Sequence, residues 1–490
     1  LMRRLVTLLA LLMGGVLVLS GCVDIPDSSS PQPIEAFDRQ RPTNLVPSPR
    51  KGDDPEAVAR SFLKAMSDPS AGHRAARKFL TASASEGWDD HGDMTVIRNV
   101  SITIDERTDN AVRLRVTGDK TGVLSSSGTL RPETGELMVA LSLAKVKGAW
   151  RISGDVPSGS ITDSAQFLTA YRQVDLFFPD RTMTRLVADP RWLFGTEPDP
   201  SALINRLLGG PTTVLAGAVA QGAGRGATLL GPVTVAGDLV TVPLGNVADS
   251  DAKSRTILAA QIIWTLDDAG ISGTYRITAD GAPLVADRDE GWRSADVSAF
   301  EPDPKEPVDP VHLIRDGALT RLTAGRAVPV AGELGASRKI ISAGISADMT
   351  QAAAVIDRDG RRTLMVGPYG GTPIEAAAGR EMTTPSFGPD VDSGYLAVDG
   401  KPVRWVYADG GSVRSAPVDA SAVTAAAPGP ITDLQVSPDG VRVALVVGGR
   451  VLMAALSVND RGVPSLTGVY PLAPDLAGEV VDVAWSTAKT

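Results

Sequence analysis

Cysteine is almost absent: Cys22 is the only one among 490 residues. No disulfide within the chain is possible, so the fold must stand on its core alone. Histidines number three, His73, His91 and His312, and none sits in a metal-binding or triad-like motif. No Gly-x-Ser-x-Gly elbow and no His-Glu-x-x-His helix occurs, which removes the sequence signals of an α/β-hydrolase and of a zincin. Aromatic residues make up only 4%, whereas glycine (50) and proline (35) are plentiful. That mix favours many short strands and turns over long helices. Beyond the first 22 residues no apolar stretch is long enough to span a membrane. Positive charge is also short: the formal net charge is −9. A broad acidic balance argues against nucleic acid, where basic patches supply most of the affinity.

What is present begins at the N-terminus. Arg3 and Arg4 form a basic start, residues 5–19 are apolar, small or Thr, and Leu19-Ser20-Gly21-Cys22 follows. This is the layout of a secretory signal. The apolar run is about 15 residues, and a spanning helix needs roughly 20. The last four residues resemble the lipobox of bacterial lipoproteins. That resemblance implies cleavage between Gly21 and Cys22 and lipidation of Cys22, which would hold the chain to the membrane. An ordinary secretory signal with a chance cysteine is the alternative. Removal of residues 1–21 with Arg3 and Arg4 would take the net charge to −11. Leu rather than Met at position 1 leads to the expectation of an alternative start codon or a clipped gene model. Residues 22–52 are rich in Ser, Pro, Gln and Arg without hydrophobic period, and read as a flexible linker.

At this length two to four domains are expected. The first is placed at 53–158. Asp54 as cap and Pro55 at the first position start a helix, and Val58, Phe62, Leu63 and Met66 recur at helical spacing. A second helix is expected over 71–80. Val100, Ile102 and Ile104 then form one strand face and Val112, Leu114 and Val116 another. Residues 137–146 and 150–152 are further strands. Helices followed by an antiparallel sheet make an α+β domain, similar in pattern to NTF2-like modules. The cluster Asp89-Asp90-His91-Gly92-Asp93 is the one group here with the oxygen ligands a hard cation favours. Its spacing matches no metal motif, so a solvated loop is the preferred reading and no metal or cofactor is assigned.

The second domain is placed at 161–290. Residues 174–180 read as a strand ending in a turn, Leu186-Val187 as a second strand, and 200–208 as a helix stopped by Gly209-Gly210-Pro211. A hairpin turns at Gly237-Asp238. A longer helix over 254–266 and a strand at Tyr275-Arg276-Ile277 follow. The Leu176-Phe177-Phe178-Pro179 strand, the Leu207-to-Pro211 helix stop and Ala260-Gln261-Ile262-Ile263-Trp264-Thr265-Leu266 resemble the GerMN domain, which implies a binding or assembly module. Gly222-Ala223-Gly224-Arg225-Gly226-Ala227 matches a loose dinucleotide fingerprint, but no helix is expected after it, so a mobile surface loop is preferred.

The third region, 309–490, repeats. Ser346-Ala347-Asp348 precedes Ala353 at the same offset at which Ser437-Pro438-Asp439-Gly440 precedes Ala444. Gly388-Pro389-Asp390 is a degenerate copy with Tyr395 at that offset, and Trp485-Ser486 begins another. A period of roughly 40 to 50 residues is a propeller signature, and the Ser-Pro-Asp-Gly copy resembles TolB and WD-type repeats. Val441, Val443 and Leu445 are expected to alternate inward. Asp316-Gly317, Tyr369-Gly370-Gly371 and Asp409-Gly410 are expected hairpins. A β-sandwich with chance turn repeats is the alternative. Three to four partial units are counted, so the propeller is expected to be partial and clipped at its C-terminus.

A lipobox, an α+β domain, a GerMN-like domain and an all-β propeller resemble, in that order, the LpqB lipoproteins of actinobacteria, and the Ala-, Gly-, Asp- and Arg-heavy composition fits that high-GC group. The resemblance implies a lipid-anchored protein on the extracytoplasmic face of the cell membrane. It also implies a role as accessory partner of a two-component sensor histidine kinase, acting through the kinase's extracytoplasmic domain in envelope homeostasis and division. An envelope solute- or peptidoglycan-fragment-binding lipoprotein without a kinase partner is the second possibility. Catalysis is not expected. Ser61-Phe62-Leu63-Lys64 and Lys120-Thr121-Gly122 match two of three penicillin-binding elements, but no Ser-Asp-Asn completes the set. Ser61 and Lys64 read as exposed helix positions and Lys120 to Gly122 as a turn. Oligomeric state is not legible.

Overall fold

The structure is a computed structural model whose described residues are 48–195, 197–302, 310–408, 410–458 and 463–486. Gly21, Cys22 and most of the expected linker lie outside them, as does Asp409 of one expected hairpin.

Helices come first. α1 (Pro55–Met66) starts on Pro55, where a missing N–H costs nothing, and buries Val58, Phe62, Leu63 and Met66. Asp54 precedes it, but its side chain makes no cap hydrogen bond. Asp53 instead accepts from the Arg50 N–H at 2.6 Å. The expected helix over 71–80 is shorter, α2 (Ser70–Arg77), and Ala71, Gly72 and His73 are left-handed, with φ of 51°, 65° and 53°. Leu80 leaves the helix to bridge to Ile152. α3 (Ala82–Gly87) is capped by Thr81.

The first sheet contains β1 (Met94–Arg107), β2 (Ala111–Leu124), β3 (Leu130–Pro132), β4 (Glu136–Val146), β5 (Ala149–Gly154) and β6 (Ser160–Asp163). Its order is β5-β4-β2-β1-β6, with β3 on β2. Val112, Leu114 and Val116 face the core as expected, at most 3% exposed. Val100, Ile102 and Ile104 are only half-buried, because they lie beyond a break in register between Arg98 and Ser101, where Asn99 has φ 54°. Such a bulge re-aims the residues after it. Two corrections follow. Lys120 to Gly122 is not a turn but part of β2, paired to β1 and β3. Residues 161–163, expected to open the second domain, belong to β6 (Ser160–Asp163), which pairs parallel with β1. α4 (Ser164–Ala170), capped by Asp163, carries Phe167 and Ala170 into one cluster with Met94, Val96 and Leu124. The first body therefore runs past the expected limit of 158.

The second body opens with a hairpin of β7 (Tyr171–Pro179) and β8 (Leu186–Phe194). α5 (Pro200–Leu208) follows, with Asp199 accepting from Ser201 N at 2.9 Å. The loose dinucleotide motif is a single 3-10 turn at Gly222–Gly224, followed by a strand, β9 (Thr228–Leu229), and not by a helix. This removes the helix start that would face a pyrophosphate. β10 (Thr234–Ala236) and β11 (Leu239–Gly245) form the expected hairpin. α6 (Ala252–Asp268) crosses over to β12 (Thr274–Ala279), which is parallel to β11. β13 (Ala282–Pro283) ends the sheet.

α6 also satisfies an edge of β7. Gln261 Nε2 donates to Phe177 O at 2.9 Å, Phe177 N donates to Thr265 Oγ1 at 3.2 Å, and Asp175 N donates to Asp268 Oδ2 at 2.9 Å. Residues four and three apart share one helix face, so three polar side chains meet alternate backbone groups of one strand. Gln261 and Thr265 are 3% and 0% exposed, and pairing of Gln261 Nε2 and Thr265 Oγ1 with the strand offsets the cost of their burial, while Gln261 Oε1 has no partner among the described residues.

Among the described residues, the third body is four antiparallel sheets. β14 (His312–Arg315), β15 (Ala318–Thr323) and β16 (Arg326–Pro329) make a three-stranded one. The next holds β17 (Ile340–Ile345), β18 (Gln351–Arg358), β19 (Arg361–Pro368) and β20 (Ile374–Gly379). β21 (Ser386–Phe387), β22 (Ser393–Val398), β23 (Lys401–Ala408) and β24 (Ser412–Pro417) form the third. β25 (Ile431–Val436), β26 (Arg442–Val447), β27 (Arg450–Val458) and β28 (Pro464–Pro471) form the fourth. First strands of successive sheets are neighbours, the radial repetition of a propeller.

The repeat has a common mechanism. Ser346 Oγ donates to Asp348 Oδ1 at 2.7 Å and accepts from Gln351 N at 2.9 Å. Ser437 Oγ likewise pairs with Asp439 and accepts from Arg442 N at 3.0 Å. Each serine thus ties the first strand of a sheet to the second across a local side-chain turn. The expected alternation along Val441, Val443 and Leu445 is corrected. Val443 to Val447 are all buried, as are Ala352 to Val355, because these strands have packed sheet on both faces. The Trp485-Ser486 copy forms no strand among the described residues. Trp485 Nε1 donates to Gln435 O at 3.0 Å, and Val483 N donates to Asp433 Oδ2 at 3.0 Å.

Candidate ligand cleft

Of the residues expected to carry function, Gly21 and Cys22 lie outside the described residues. The acidic loop at 89–93 is described, and among the described residues no group of three or more His, Cys, Asp and Glu side chains is arranged to hold an ion. Asp90 is spent on other partners. Its carboxylate accepts from Arg77 Nη2 at 3.0 Å, lies 3.2 Å from His73 Nδ1 and 3.0 Å from His91 Nδ1, and is 5% exposed. Burial works to raise its pKa, but the hydrogen bonds from Arg77 and His73 outweigh that and hold it below the usual carboxylate value. Arg77 and His73 also lie against Trp88, at 5.1 and 5.3 Å between centres. Lys120 of the penicillin-binding match pairs with Glu133 at 2.7 Å, while Lys64 is exposed on α1 and Ser61 is half-buried there. The two pieces are not brought into one site.

Where the first two bodies meet, a cleft of about 500 Å³ opens. One wall is α2 and the Asp90–Gly92 loop. The other is the start of β7, the end of β8 and Arg206 on α5. Its aromatic side is continuous. Phe167 stacks on Tyr171 at 4.8 Å and lies 4.9 Å from Trp192, and Tyr171 meets Phe194 edge-on at 5.6 Å. Beneath the cleft, Arg191 and Asp189 form an ion pair at 2.6 Å with both side chains at most 3% exposed. Arg191 also donates to Ser127 O at 2.9 Å and Gly210 O at 3.3 Å, and Thr212 N donates to Asp189 at 2.8 Å. Such extra hydrogen bonds help offset the cost of burying the pair, although Arg191 Nε is itself buried without a partner among the described residues.

Three polar groups in the lining are left over. Arg206 is half-buried and donates to Ser126 O at 3.0 Å, but it meets no carboxylate among the described residues. Burial and the neighbouring Arg191 guanidinium lower its pKa from the ordinary value. Tyr171 is 8% exposed, and its hydroxyl has no hydrogen-bond partner among the described residues. Burial, then the charge of Asp68, push its pKa far up, with Arg206 opposing. His73 is 7% exposed and its Nε2 is buried without a partner. Sequence reading missed this site because its residues come from positions 73 to 206 on unrelated elements. The alternation of Trp192 and Phe194 around Leu193 was the one local signal, an aromatic face on a strand.

A second depression, about 580 Å³, is lined by Arg60, Lys64, Asp163 and Gln166 among others. Asp163 is already committed to capping α4, and no buried polar atom there lacks a partner.

Three bodies in this order define a class: a multidomain protein made of a helix-and-sheet module, a GerM-like module and a multi-sheet β domain. Family profiles agree. Residues 48–168 match "Lipoprotein LpqB, N-terminal domain", 175–285 match "Sporulation and spore germination", and 317–490 match "Lipoprotein LpqB beta-propeller domain". The chain is 37% identical to lipoprotein LpqB of Mycolicibacterium smegmatis, over 99% of this chain and 86% of that one. It is 36% identical to lipoprotein LpqB of Mycobacterium tuberculosis, with the same two coverages. The chain belongs to the lipoprotein LpqB family, and is thus a membrane-associated envelope lipoprotein. Among solved structures, the tandem GerMN domains of GerM from Bacillus subtilis overlap 29% of this chain and 51% of that chain at 17% identity and a TM-score of 0.21, an overlap too slight to add to the argument.

Proposed function

We propose that the protein is anchored by lipid on Cys22 to the extracytoplasmic face of the cell membrane after cleavage at Gly21, and that it acts there as an accessory regulator of a sensor histidine kinase. The reading rests on family membership over nearly the whole chain, joined to what the LpqB resemblance implies about partners. A lipid anchor raises the local concentration of the folded part at the membrane, so a modest affinity for a membrane partner suffices. Cross-linking in native membranes followed by partner identification tests it. Recovery of a kinase, lost when Cys22→Ala releases the chain, is the expected result. Labelled palmitate that fails to enter the wild-type chain, or cross-links without any kinase, would overturn it.

The cleft favours a second reading, an envelope solute- or peptidoglycan-fragment-binding lipoprotein. A ligand that binds only the native state raises its stability, so muropeptides should raise the melting temperature of the full chain.

A further inference from the structure

The geometry points to the cleft between α2, β7 and β8 as a binding site for a small carboxylate-bearing saccharide, with Arg206 taking the carboxylate, the Trp192–Phe194 side taking the sugar face, and His73 Nε2 and the Tyr171 hydroxyl taking ring hydroxyls. The inference rests on the second reading above for the source of such a ligand, not for the site itself.

Chemistry narrows the class. Buried polar atoms are normally paired, yet His73, whose Nε2 is buried with no protein partner, lines this cavity beside Tyr171, whose hydroxyl makes no hydrogen bond among the described residues. His73 Nδ1 is committed to Asp90 at 3.2 Å, so Nε2 is the nitrogen left to accept. Its complement is a hydroxyl or another O–H or N–H donor. Arg206 is the complementary case. Asp189 neutralises Arg191 at 2.6 Å, while the second guanidinium has only a backbone carbonyl. A forked cation without a counter-charge in a half-enclosed cleft selects a carboxylate. The aromatic wall needs a flat, apolar face, and Phe194 remains 36% exposed to offer one. One small molecule that carries donors, an anion and an apolar face is a sugar acid. A volume of about 500 Å³ lies within the ordinary range of small-molecule sites.

The test uses the full chain in detergent and follows thermal stability and tryptophan fluorescence with N-acetylmuramic acid as probe. N-acetylglucosamine, which lacks the carboxylate, and benzoate, a flat acid without ring hydroxyls, are the comparisons. N-acetylmuramic acid should bind at least about ten-fold more tightly than either, the effect of one charge-assisted hydrogen bond. Arg206→Gln should erase the preference over N-acetylglucosamine, Arg206→Lys should keep part of it, and Tyr171→Phe should weaken binding of the sugars while the melting temperature without probe stays put. Equal binding of benzoate would overturn the saccharide assignment. Muropeptide binding untouched by Arg206→Gln and Tyr171→Phe would overturn this site while leaving the second reading intact. Absence of binding by the probe and by muropeptides alike would remove both.

Discussion

The protein has two seams, and they are built differently. Between the second and third bodies the join is filled. Val441 and Ala455 of the propeller belong to the same core cluster as Leu215 and Ala218. Arg442 pairs with Asp439 at 2.7 Å and donates to Ala188 O. Gly217 lies so close that an added Cβ would be 3.2 Å from Ser457 Cβ. The cavity left there is about 160 Å³. Between the first and second bodies the join is closed at its base, where Trp192 N donates to Gly128 O at 2.7 Å, and open above it, with about 500 Å³ and three polar groups unspent. A packed seam transmits position, whereas a gap lined with unpaired polar groups carries a stability cost that a ligand can relieve.

The largest expected effect tests the base of the open seam. Asp189→Ala leaves Arg191 as an unpaired buried cation, and urea unfolding should show a loss of about 3–5 kcal/mol. A loss under about 1 kcal/mol would mean that the pair does not hold this join. Arg442→Ala should cost less, about 2 kcal/mol for charge-assisted hydrogen bonds, and should split one calorimetric transition into two as the propeller uncouples. If both transitions still coincide, the filled seam does not depend on this arginine.

Next in size is a pH effect inside the propeller. Burial first, and then the hydrogen bond with Asp482, raise the Asp433 pKa to about 6. The folded state therefore holds a proton that the unfolded chain releases near 4. Docking of the 480–486 segment is favoured below about 4 and weakens as pH rises through about 6. The indole signal of Trp485 should report that loosening, and Asp482→Asn, which removes the second cause but not the burial, should reduce its pH dependence, whereas Asp433→Asn should abolish it. Smallest of all, Tyr171→Phe should change unfolding stability by no more than about 0.5 kcal/mol, because the hydroxyl it removes bonds to nothing. A loss well beyond that would show that the hydroxyl is already in use.

Local rules made much of the fold legible. α5 runs over the expected residues because Asp199 and Pro200 start it and Gly209 stops it, and the Ser-x-Asp repeats marked the propeller because each turn is made by its own side chains. What escaped depended on distant pairing. Ser160–Asp163 has only four residues, and nothing local says that they lie parallel to Met94–Ile97. Val441 to Val447 looked half-buried because Ala444 is small and counts for little in an apolar pattern, yet it faces a packed neighbour. Asp90 read as part of a solvated loop because sequence shows its acidic neighbours but not Arg77 and His73 closing over it. Only pieces of the cleft were visible, Asp90 and His91 in the acidic cluster and the aromatic alternation of Trp192 and Phe194, because no stretch of chain contains more than a few of its lining side chains.

The three side chains that α6 lays along β7 have a further consequence. A strand whose outer backbone is already answered by amide, hydroxyl and carboxylate offers no template to a neighbouring molecule. The helix ends the sheet as a final strand would, without itself presenting a new edge. For a membrane-associated lipoprotein, which meets its neighbours on a crowded two-dimensional surface, that termination limits self-association through this strand, and Gln261→Leu is the substitution that reopens it.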